Sequence, residues 1–93
     1  MAVAEVFQAL YDNDGGIQDS FIAYWKEAAS YFKNEDNVLG YELINEPFVG
    51  NFYKDASLFL DGKAGKKFLL PMYVKIHEAI RSVDDKKIIF IEP

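Results

Sequence analysis

Two short stretches of this chain place a carboxylate and a proline after an apolar run. One is Leu43-Ile44-Asn45-Glu46-Pro47 and the other is Phe90-Ile91-Glu92-Pro93. In each, a residue able to exchange a proton follows residues suited to a buried strand. In parallel α/β folds, reactive groups sit at the carboxyl ends of strands. Neighbouring strands lie about 4.8 Å apart, so Glu46 and Glu92 could approach each other if their strands pair directly. Two carboxylates about 5 to 5.5 Å apart are what retaining glycoside hydrolysis requires. Asn45 would donate a hydrogen bond to a sugar hydroxyl. Glu46 would give and take a proton, provided burial or a second carboxylate raised its pKa. The ordinary meaning of both stretches is a strand exit, and short motifs match by chance often.

The elements that must position these residues can be read from spacing. Residues 2 to 11 form a short helix with Val3, Val6, Phe7 and Leu10 on one side. The run DNDGG (12 to 16) is a turn. Asp19 or Ser20 caps a second helix from Phe21 to Phe32, whose stripe is Phe21, Trp25, Ala28 and Phe32. Residues 38 to 44 read as a strand, apolar on both faces like a parallel strand covered on each side. Phe48 to Lys66 is a long loop rich in aromatics, the kind that carries function. A third helix runs from Phe68 to Val83, buried through Leu69, Met72, Ile76, Ile80 and Val83, with Pro71 in its first turn. Residues 84 to 87 turn into a second strand, 88 to 91. Two apolar strands joined through a helix form a right-handed crossover with the strands parallel.

Composition narrows the partners. The chain has 93 residues, 51% of them hydrophobic, with eight Phe, six Tyr and one Trp. That is globular, and more apolar than a free-standing domain of this length needs, which suggests part of a larger unit. The net charge of −5 argues against nucleic acid and anionic membranes. Without cysteine there is no disulfide framework or thiolate metal site. No apolar run is long enough to span a bilayer. The first residues lack the pattern of a signal peptide.

The stretch VLGYELINEPF resembles the strand-four signature of glycoside hydrolase family 5 and its clan of (β/α)8-barrel retaining enzymes. YDNDGGIQDSFIAYWKEAASYF, NVLGYELINEPFVGNFYKD and LLPMYVKIHEAIRSVDDKKIIFIEP resemble consecutive segments of endoglycoceramidases, which cut between the glycan and the ceramide of a glycosphingolipid. The likeness covers nearly the whole chain, most securely from Gly16 onward. It implies an α/β fold, a partial (β/α)8 TIM barrel of about strands four and five with flanking helices. Residues 1 to 93 would all belong to one catalytic domain.

The same resemblance implies roles. Glu46 would be the general acid/base, and Asn45 would contact the sugar beside the scissile bond. The family's nucleophile is a Glu at the end of the seventh strand, which these elements do not reach. Glu92 would then line the cleft or hold a structural hydrogen bond. Phe48, Phe52 and Tyr53 would stack on sugar, touch lipid, or pack the loop on itself. Glu42 would be a paired carboxylate inside the barrel, Trp25 core of the outer shell, and His77 a surface residue. No cofactor or metal is implied.

The substrate would be a glycosphingolipid or another β-glycoside, in a secreted or lysosomal setting. The alternatives are another family 5 β-glycosidase, of the glucosylceramidase or β-glucanase type, and an incomplete, inactive piece that needs the missing barrel half.

Overall fold

The computed structural model describes residues 2–45 and 65–92. Helix α1 (Ala2–Tyr11) leads through a 3-10 turn (Asp14–Gly16) into α2 (Ile17–Phe32). Strand β1 (Gly40–Glu42) follows. After a π-helical turn (Gly65–Leu69), α3 (Leu70–Arg81) leads to strand β2 (Ile88–Phe90).

The expected turn at 12 to 16 is present. Asn13, Gly15 and Gly16 all take positive φ, which glycine and asparagine tolerate best. The second helix, however, begins at Ile17 rather than Phe21, and neither Asp19 nor Ser20 is its cap. Asn13 Oδ1 accepts the Asp19 main-chain N–H at 3.1 Å, and Asn13 Nδ2 donates to Asp19 Oδ2 at 2.9 Å. An asparagine outside the helix thus satisfies an N–H of the first turn, which frees the helix to start earlier.

The buried stripe of α1 is also shifted. Ala4 and Tyr11 are buried, with Phe7 and Leu10 packed beside them, while Val3 and Val6 face solvent. In α2 the buried line runs through Gln18, Trp25 and Ala29, and Phe32 is exposed. Helix α3 buries Met72, Ile76 and Ile80, as its spacing requires, and Tyr73 besides, while Val83 of the expected stripe lies beyond its end and is half-buried. Leu69 is buried too, and Pro71 falls in the first turn of α3 as expected. Helical structure nonetheless starts at Gly65, three residues before the expected boundary.

The strands pair in parallel, Gly40 with Ile88, Tyr41 with Ile89 and Glu42 with Phe90. Each is shorter than the apolar run that suggested it. The Val38 carbonyl accepts the Lys87 ammonium at 2.9 Å, outside the ladder. Helices cover one face of the sheet, where Tyr41 and Leu43 are buried and Ile89 packs against the core. The opposite face carries Glu42, Ile88 and Phe90, all exposed. The expectation of a strand covered on both sides therefore fails among the described residues. Glu42 is not enclosed, because no described element lies over its face.

Candidate active site

The carboxyl ends of the two strands form the candidate site. Leu43 N donates to the Phe90 carbonyl at 3.2 Å, the last rung of the ladder. One step further the register makes Ile44 level with Glu92. Asn45 follows, exposed. Glu46, Phe48, Phe52 and Tyr53, and most of the expected loop, lie outside the described residues.

Glu92 is half-buried. Its main-chain carbonyl accepts the Tyr73 hydroxyl at 2.7 Å, a bond from α3 that fixes the exit of β2. Burial raises the Tyr73 hydroxyl's pKa, with the Glu92 carboxylate adding to the rise and a backbone hydrogen bond at Glu92 only partly offsetting it, so it stays a donor at neutral pH. The exit of β2 at Glu92 is thus held by two anchors, the strand ladder and a tyrosine.

The amino ends of the strands are tied by a second network, which composition and spacing did not reveal. The Tyr41 hydroxyl donates to Asp84 Oδ2 at 2.7 Å, deep under α2. Asp84 Oδ1 accepts the main-chain N–H groups of Lys86 at 2.9 Å and Lys87 at 3.2 Å. The Lys87 ammonium reaches across to the carbonyls of Glu35 and Val38. Burial alone would push the Asp84 carboxyl up. The Lys86 N–H, the Tyr41 hydroxyl and Lys87 outweigh it and hold the carboxyl below its usual range. The signal available in sequence was an Asp opening a polar turn, which often bonds the N–H groups that follow.

Gly40 starts β1 because nothing larger fits. A Cβ there would collide with the Ile88 carbonyl and come within 2.9 Å of the Phe90 ring. Beside the site, an apolar cavity of about 320 Å³ opens between α1, α2 and the end of β1, lined by Val6, Phe7, Leu10, Ile17, Phe21 and Ile44. A second, of about 230 Å³, lies between α3 and β2, with the exposed His77 among its lining residues. Trp25 is half-buried against Tyr41, ring centroids 6.0 Å apart, so it belongs to the core as expected. Its indole N–H is buried without a partner among the described residues. Among the described residues no His, Asp and Glu cluster could hold a metal ion. Nor is any described helix long and apolar enough to cross a membrane.

Parallel strands bridged by a helix define an α/β protein of the kind whose sites lie at the carboxyl ends of its strands. The chain belongs to glycosyl hydrolase family 5: the cellulase family matches residues 4–93. That family is built on the TIM barrel. Over 91 residues the chain is 47% identical to an endoglycoceramidase of Cyanea nozakii and 46% identical to one of Hydra vulgaris. Each match covers 98% of this chain and 18% of the relative, so the chain spans less than a fifth of their length. Its sequence resembles these endoglycoceramidases over nearly its whole length. No solved structure gives a significant match.

Proposed function

We propose that this chain is the acid/base segment of a retaining glycosidase that cuts between the glycan and the ceramide of a glycosphingolipid. Residues 1 to 93 then form part of one catalytic TIM-barrel domain, with β1 and β2 as its fourth and fifth strands. The observation that carries the reading is near-complete alignment to two endoglycoceramidases. The parallel pairing of β1 and β2, with Asn45 and Glu92 a few residues beyond their carboxyl ends, supports it.

In this reading Glu46 protonates the glycosidic oxygen, then activates water against the glycosyl-enzyme. Asn45 binds the sugar next to the cleaved bond. The nucleophile comes from a later strand of the full-length protein, and Glu92 supports the cleft rather than attacking. Glu46→Gln in the full-length gene product is expected to cut hydrolysis of glycosphingolipid by about 10²- to 10⁴-fold. Circular dichroism should stay unchanged. Full activity in that variant would remove Glu46 from the mechanism.

The family's description as cellulase favours one rival, a β-glucanase acting on soluble glucan. Glycan release from a glycosphingolipid, set against cleavage of a cello-oligosaccharide, separates the two.

A further inference from the structure

On the glycosidase reading above, in which Glu92 supports the cleft, we propose that Tyr73 is a positioning residue. Its hydroxyl, bonded to the main-chain carbonyl of Glu92, sets the exit of β2 and so aims the Glu92 side chain at the substrate. The last rung of the ladder runs from Leu43 N to the Phe90 carbonyl. Two residues on, the Glu92 carbonyl is the next acceptor in register. It takes the Tyr73 hydroxyl at 2.7 Å. Pro93 follows in sequence and has no N–H, so it cannot extend the ladder as a donor. The proline also confines Glu92 to extended backbone. A bond to the Glu92 carbonyl then restrains the rotation left to that peptide, and with it the direction of the side chain.

The donor is firmly held. Tyr73 is 5% exposed on α3, next to Met72 and one turn before Ile76, both fully buried. Its ring has two rotatable bonds, so it bridges helix and strand at small entropic cost. Leu70, Val74, Ile89 and Ile91 line an apolar hollow with it, a setting in which a hydrogen bond is stronger than in water. Packing alone would be served by phenylalanine. Tyr41 ties the amino ends of the strands through Asp84, whereas Tyr73 acts at the carboxyl ends, where parallel α/β folds bind their ligands. A carboxylate there accepts hydrogen bonds from sugar hydroxyls, and such contacts need placement to within about 0.5 Å.

The test is a double-mutant cycle in the full-length gene product: Tyr73→Phe, Glu92→Ala and both together. Tyr73→Phe removes one oxygen and keeps the ring, and Glu92→Ala keeps the carbonyl that Tyr73 holds. Both kcat and KM are measured on a glycosphingolipid, below the melting temperature of every variant. Tyr73→Phe is expected to raise KM about threefold to tenfold, the range of one neutral hydrogen bond. Its kcat should stay unchanged, the mark of lost substrate binding. Glu92→Ala should raise KM about tenfold or more, and adding Tyr73→Phe to it should raise KM no further. Factors that multiply in the double variant overturn the inference, since Tyr73 then acts on the fold and not through Glu92. So does an unchanged KM in either single variant. A wild type that cleaves a cello-oligosaccharide and not the glycosphingolipid refutes the glycolipid substrate alone. The same cycle is then read on the glucan, whose hydroxyls meet Glu92 in the same way. A wild type that cleaves neither overturns both.

Discussion

At the scale of single residues, the molecule divides its carboxylates by task. Glu92 stands at the exit of β2, while Asp84 is buried at the opposite end among four hydrogen-bond partners or charges. The partner hydroxyl of Tyr41 is pushed up to about 12, first by burial and then by Asp84. An unfolded tyrosine titrates near 10. The folded chain therefore keeps this proton where the unfolded chain releases it. The resulting stabilisation is complete below about pH 10 and is lost as pH rises towards 12. Asp84 behaves in the opposite sense. Its contribution is present above about pH 4 and is lost as pH falls through its depressed value. Tyr41→Phe is expected to cost about 1–2 kcal/mol at neutral pH. Denaturant unfolding at several pH values should show the difference from wild type shrinking above pH ~10. A difference constant through that window would show that the hydroxyl proton is not involved.

At the scale of elements, the order helix, strand, helix, strand was legible because each apolar run kept one period and was bounded by turn residues. Helix α3 gave the clearest signal, since large unbranched or β-branched apolar side chains fill its buried positions Met72, Ile76 and Ile80, with Tyr73 as the one aromatic among them. Helix α1 misled because small Ala4 and amphipathic Tyr11 hold its inner face while Val3 and Val6 do not. The start of α2 was hidden because Asn13 caps it from six residues before Asp19, well outside the usual capping position. Gln18 was equally hard to foresee. It is buried, and its amide donates to the carbonyls of Leu10 and Tyr11 at the end of α1. The strand-end site was visible as a pattern, whereas the Tyr41–Asp84 link, 43 positions apart, needed the fold itself. Gly40 offers a test at this scale. Gly40→Val should destabilise the protein by about 1–3 kcal/mol or more, because its side chain meets the Ile88 carbonyl and the Phe90 ring. Thermal unfolding measures this, and a variant melting with the wild type would mean the strands can separate to admit a side chain.

At the scale of the whole molecule, the described residues form one apolar core under a sheet with one open face. Ile88, Phe90 and Ile91 are 49%, 42% and 52% exposed, on or beside an edge strand. Such surfaces associate unless another layer covers them. In the proposed barrel that cover is the rest of the strands. The 93-residue chain expressed alone is therefore expected to self-associate and to release no glycan from glycosphingolipid. Size-exclusion chromatography with light scattering and a glycan-release assay check both points. A monodisperse, active monomer would refute the barrel-segment reading.

The sheet also sorts its side chains by parity. Within the strands, odd-numbered Tyr41 and Ile89 lock the sheet to the helices, while even-numbered Glu42, Ile88 and Phe90 lie on the other face. Inheritance can act on the two sets separately. Substitutions on the open face need not disturb the residues that hold the strands in place. A lineage can therefore rewrite one side of the sheet without first crossing the threshold at which the fold gives way.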